Sequence, residues 1–159
     1  RGPLKHSIIS QFIGYTAWGD LDFLIIDSPP GTGDEPLSVI QTAKPDGAIV
    51  VTTPQDVATF DVRKSIDFCK QLNLPVTGVI ENMSGFACSH CGHVTNIFGS
   101  GGGKRMAEDC SVPFLGSIPI DPRFVVQSDE GKVYIYAHND GETLQAITGI
   151  INRLTEPVR

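Results

Sequence analysis

Short apolar runs alternate with longer amphipathic stretches along the chain, a pattern that predicts strands buried on both faces between crossover helices. Residues 4–15 place Leu4, Ile8, Ile9, Phe12 and Ile13 at helical spacing, with Pro3 suited to a first helical position and Gly14 to the end. Residues 21–27 read as a strand ending in a carboxylate, 35–43 as a short helix, and 47–53 as a second strand closed by Pro54. Residues 57–72 carry Val57, Phe60, Ile66, Phe68, Cys69 and Leu72 among charged positions, which predicts a surface helix with one buried face. Pro75 introduces a strand over 76–81. Residues 82–103 hold six glycines, two cysteines and two histidines with little periodicity, and unstructured loops of such length are usually functional. A helix over 104–109, a strand over 114–118 and a terminal helix over 141–154 complete the prediction. The expected fold is α/β, a mostly parallel doubly wound sheet flanked by helices, with residues 1–159 as a single domain.

Composition narrows the function classes. Apolar residues make up 40% and aromatics 8%, which fits a globular core and excludes disordered and collagen-like chains. The net charge of −6 and the absence of any basic run argue against nucleic acid or anionic lipid as the main partner. Purely aliphatic and phenylalanine stretches such as 23–26 and 48–51 are too short to cross a bilayer. With no initiator Met and no apolar signal core, the chain is expected to be a piece of a longer, cytoplasmic protein.

Two segments carry chemistry. Phe23-Leu24-Ile25-Ile26-Asp27 has the form of a Walker B strand, whose terminal carboxylate holds Mg²⁺ through water. Ser28-Pro29-Pro30-Gly31-Thr32-Gly33-Asp34 follows, stiff at the prolines and open at the glycines, where backbone N–H groups can approach a γ-phosphate. An ordinary turn with Asp34 as helix cap is the plainer alternative. Neither G-x-x-x-x-G-K-[ST] nor G-x-G-x-x-G occurs, and the run from Gly99 to Lys104 reads as a turn at a helix start.

The other segment is Cys88-Ser89-His90-Cys91-Gly92-His93. The C-x-x-C spacing lets two thiolates face one metal, and Gly92 relieves the turn. Cys69 and Cys110 read as buried small apolar residues. Three completions stand open: zinc with His90 or His93, a shared site with a second copy of the chain, or a redox dithiol.

Together these residues resemble the Mrp/ApbC-type iron-sulfur cluster carrier ATPases, relatives of the MinD/ParA group of deviant P-loop proteins. The resemblance rests on Arg1-Gly2-Pro3, Gln11-Phe12, Trp18-Gly19-Asp20-Leu21-Asp22, the segment from Asp27 to Asp34, Thr52-Thr53-Pro54-Gln55, Glu81-Asn82-Met83-Ser84, Cys88 with Cys91, Ile97-Phe98-Gly99 and the stretch from Gly116 to Asp121. It implies a P-loop NTPase-like fold, of which this chain is the C-terminal portion, and a homodimer that binds ATP and Mg²⁺. The dimer would hold a [4Fe-4S] cluster between C-x-x-C pairs in the loop 87–103 and pass it from an assembly scaffold to apo iron-sulfur proteins, without nucleic acid or membrane. By the same resemblance Asp27 and Asp34 are the catalytic carboxylates and Gly31 the γ-phosphate contact. Asn82, Pro119 and Asp121 line the base pocket, and Cys88 and Cys91 ligate the cluster. The family's Walker A loop is not among these residues, so the chain alone is expected to be inactive as an ATPase. Ser89 stands where many members carry Pro. The competing classes are a MinD/ParA-like positioning or partition ATPase and a module that binds Zn²⁺ at Cys88 and Cys91.

Overall fold

A computed structural model describes residues 2–137 and 140–155. Arg1 of the Arg1-Gly2-Pro3 motif lies outside them. The elements run α1 (Gly2–Tyr15), α2 (Asp34–Ala43), β1 (Ala48–Thr52), α3 (Asp56–Gln71), β2 (Val76–Ala87), β3 (Val94–Thr95), α4 (Gly102–Asp109), β4 (Phe114–Ile120), α5 (Pro122–Asp129), α6 (Tyr134–Ala137) and α7 (Glu142–Thr155).

The architecture is α/β, a mainly parallel sheet flanked by helices. β2 is central, with β1 parallel on one side from Ala48↔Val76 to Thr52↔Glu81. β4 is parallel on the other side, from Val79↔Phe114 to Phe86↔Ile120. The far end of β2 turns back antiparallel into β3, pairing Phe86 with Thr95 and Ala87 with Val94. Among the described residues β1 pairs with β2 alone, so its other edge carries no ladder.

The core lies where α3 and α4 cover this sheet: Val50, Ile66, Val79, Met106 and Ala107 are buried together, with Val62, Val76, Val112 and Phe114 packed around them. Burying side chains of this size is worth about 1.5–3 kcal/mol each. α3 has Asp56 in its first turn and Lys70 in its last, charges that complement the helix dipole. α7 packs along β4, where Ile150 crosses Gly116 at a distance only a missing side chain permits. α1 and α2 pack chiefly on each other, tied by the Lys5–Glu35 ion pair and by Ser10 against Thr42.

Most predicted elements are present within a residue or two, but three differ. Residues 21–27 form no strand: Phe23 and Ile25 are 63% and 77% exposed, and no described strand lies beside the segment to complete its backbone hydrogen bonds. The Walker B-like sequence is therefore coil here. The strand predicted over 76–81 runs on to Ala87, through an irregularity between Asn82 and Phe86 where Met83 (φ 57°) and Gly85 (φ 81°) are left-handed. The loop expected over 82–103 thus contains the end of β2, all of β3 and the start of α4.

Candidate functional site

The cysteines sit at the tip of the β2–β3 hairpin. Two ladder pairs bring the chain together at its neck, and the tip is closed by Cys88 N–H donating to the His93 carbonyl (3.0 Å) and Gly92 N–H donating to the Cys88 carbonyl (2.8 Å). Gly92 has φ 70°, a conformation this tight turn needs and a side chain would strain. Cys91 is exposed and Cys88 half-buried, both as free thiols. Backbone N–H groups of His90 and Cys91, together with the Cys91 side chain, hold the Cys88 thiol below its ordinary pKa by favouring the thiolate. Thiolate is the form that binds metals. His90 and His93 are exposed.

Among the described residues no group of three or more His, Cys, Asp or Glu side chains could hold a metal ion. One chain therefore offers two sulfur ligands. Cys69 is buried in α3, where desolvation raises its thiol pKa, and Cys110 caps the end of α4 with Arg63 Nη1 3.8 Å from its sulfur. The expected burial thus holds for Cys69, whereas Cys110 is only half-buried.

Of the residues expected to line a base pocket, Asn82 lies midway along β2, Pro119 near the C-terminal end of β4, and Asp121 just beyond it; ligands of parallel α/β sheets usually bind at the C-terminal strand ends. Asn82 pairs in register with Ile118, and Pro119 follows Ile118 on β4 with its side chain on the alternate face of the strand. Asn82 Oδ1 accepts from Met83 N–H at 2.9 Å. Asp121 is otherwise engaged. It is the N-cap of α5, and its carboxylate accepts from Arg123 N–H (2.9 Å), Arg123 Nη2 (2.7 Å), the Tyr134 hydroxyl (2.5 Å) and the Thr143 hydroxyl (3.1 Å). The guanidinium of Arg123 foremost holds this carboxyl well below the usual range.

The phosphate-side residues stand apart. Asp27 and Gly31 are exposed on the coil between α1 and α2, and Asp34 opens α2 behind Gly33, the N-cap. Asp34 is thus a first-turn residue and not the cap. Gly31 has φ 100° and open space where a Cβ would stand, which fits a close backbone approach to an anion. Among the described residues no hydrogen bond joins this segment to β2 or β4.

Residues 1–155 match the family described as ParA: NUBPL iron-transfer P-loop NTPase. The chain belongs to that family. It is 47% identical over 158 residues to the cytosolic Fe-S cluster assembly factor NUBP2 homolog of Nematostella vectensis, covering 98% of this chain and 58% of that protein. It is 62% identical over 128 residues to the cytosolic Fe-S cluster assembly factor CFD1 of Saccharomyces cerevisiae, covering 79% and 44%. The chain thus spans about half the length of the curated relatives it matches. Among solved structures, the nucleotide-binding protein of Archaeoglobus fulgidus in complex with ADP is 44% identical, with a TM-score of 0.75 over 84% of this chain and 55% of that one. MinD of Pyrococcus horikoshii, at 20% identity and a TM-score of 0.69 over 98% and 57%, shares the fold.

Within the family motif, sequence reasoning gave no role to Glu81. The signal was present, because a carboxylate that follows Val79 and Ile80 in a strand read as buried must find buried partners.

Proposed function

We infer that the protein of which this chain is part carries an iron-sulfur cluster in the cytosol, receiving it from an assembly scaffold and delivering it to apo-proteins. The cluster is cargo. The observation that carries this reading is the C-x-x-C at the tip of a hairpin, exposed on one side and limited to two thiols, in a chain whose relatives are named cytosolic Fe-S assembly factors. A four-iron cluster takes four thiolates, so two chains must each bring Cys88 and Cys91, which makes the carrier a dimer across the hairpin tips.

Nucleotide use is the second half of the proposal. Residues 1–159 are read as the C-terminal portion of one P-loop NTPase-like domain. MgATP, when bound, supplies a phosphoanhydride whose hydrolysis changes the state of the carrier. Asp27 is placed at the magnesium, Asp34 at the attacking water or its metal, and the Gly31 backbone at the γ-phosphate. Asn82 and Pro119 hold the base. Asp121 supports that pocket indirectly, by fixing the turn into α5.

Anaerobic reconstitution with iron and sulfide, followed by metal analysis and mass measurement, tests the cargo reading. It predicts about two irons per chain in a dimer, and Cys91→Ser abolishing both cluster and metal-dependent dimer. Zinc in place of iron, or iron bound equally by Cys91→Ser, refutes it.

A further inference from the structure

Glu81 is fully buried in the central strand, and no ion pair to it is formed among the described residues. Its register partners are Thr52 on β1 and Ser117 on β4. Both carboxylate oxygens act as acceptors. Oε1 takes the Ser84 hydroxyl at 2.6 Å and the Gly101 backbone N–H at 3.0 Å, with the Ser117 hydroxyl at 3.5 Å; Oε2 takes the Gly103 backbone N–H at 2.6 Å.

These partners have a particular place in the chain. Ser84 lies in β2 before the cysteine tip, and Gly101 and Gly103 lie at the start of α4 beyond β3, so one side chain ties the segment that enters the hairpin tip to the segment that follows the hairpin. The glycine run is shaped to allow this. Gly101 is left-handed (φ 72°) and N-caps α4 without any side-chain bond of its own, so Glu81 provides the cap from the sheet. A Cβ on Gly103 would stand 3.1 Å from Glu81 Cβ and 3.2 Å from Oε2, and one on Gly102 would stand 2.0 Å from the Pro54 carbonyl oxygen. Backbone N–H groups reach the carboxylate only because no side chains intervene. Charge-assisted bonds of this kind are stronger than neutral ones, and they cannot be replaced by water in a site with no exposure.

We propose that Glu81 is a positioning residue of the cysteine site: by clamping Ser84 to the Gly101–Gly103 backbone it fixes the base of the β2–β3 hairpin and so the aim and spacing of the Cys88 and Cys91 thiols. The inference deepens the cargo reading and rests on it for its functional meaning, but the clamp itself is measurable without any metal. Glutamine in this place keeps the shape and has a single acceptor oxygen, and its NH₂ group then faces N–H donors.

The test compares the parent protein with Glu81→Gln by amide hydrogen exchange and by titration with Co²⁺, whose thiolate charge-transfer band reports binding at Cys88 and Cys91. Exchange at Gly101 and Gly103 should quicken, and cobalt affinity should fall about tenfold, the ordinary effect of losing a group that orients metal ligands. Ile66→Val, a core change remote from the hairpin, separates positioning from general stability and should leave cobalt affinity unchanged. If Glu81→Gln does not fold, Ser84→Ala removes one partner of the clamp and should shift both readouts in the same direction by less. Unchanged protection at Gly101 and Gly103, or cobalt binding weakened equally by Ile66→Val, overturns the proposal. Absence of a cobalt band in the parent protein counts against the cargo reading, while the exchange comparison still decides the clamp.

Discussion

Asp121 shows how a residue's part in the molecule depends on partners the sequence does not place beside it. Its motif suggests a base-pocket group, whereas in the fold it is 8% exposed and surrounded by donors from Arg123, Tyr134 and Thr143, the last two lying 13 and 22 residues away. Because the folded state depresses this carboxyl, its contribution to stability is present above the ordinary aspartate pKa of about 3.9 and is lost as the pH falls toward the lower folded value. Asp121→Asn, which sets an amide among those donors, should cost about 1–3 kcal/mol at neutral pH. Urea unfolding at pH 7 and pH 3 checks this: the gap between variant and parent should narrow in acid, and a gap that is the same at both values would contradict the assignment. Residue types were legible at this scale for the cysteines, since C-x-x-C needs only local spacing to make a turn. The donors around Asp121 and Glu81 were not, because three-dimensional neighbours decide what a buried carboxylate does.

The elements divide by how much of their stability is local. α3 and α7 were readable because a single apolar face at helical spacing, packed against the sheet, is a periodic signal; α1, found by the same spacing, leaves Leu4 and Phe12 largely exposed. α5 is too short to stand out by periodicity although Asp121 and Pro122 form a helix start, and its eight residues bury no side chain fully. Residues 21–27 went the other way: strand-like composition is only an invitation to pair, and the segment has no ladder here. The glycine run from Gly99 does make the turn at the start of α4 that its sequence suggests, with Gly101 as N-cap. It is also a contact surface, on which Gly102 lies against the Pro54 backbone. Gly102→Ala should cost about 1–3 kcal/mol through overpacking against a carbonyl that cannot swing aside, measured as a lowered midpoint in thermal or urea unfolding. Gly131→Ala, where a Cβ meets nothing within 4 Å but φ is 67°, isolates the backbone strain from the clash.

For the whole molecule, the parallel core was legible because buried strands and crossover helices leave a repeating signature, while the arrangement of α1 and α2 against one another was not, since it depends on a few polar links such as Lys5 with Glu35. The edge of β1 has its own consequence at this scale. The strand reads Ala-Ile-Val-Val-Thr, without charge or proline, and Val51 is 54% exposed. A strand with those properties and an edge that carries no ladder among the described residues is an adhesive surface in this chain, because another chain can extend the sheet there. Preparations of this chain should associate more as concentration rises, and Val51→Lys should suppress that in light scattering. Two kinds of dimer are then to be told apart in solution: one glued along β1 persists when a chelator strips the iron, and one bridged at the hairpin tips comes apart.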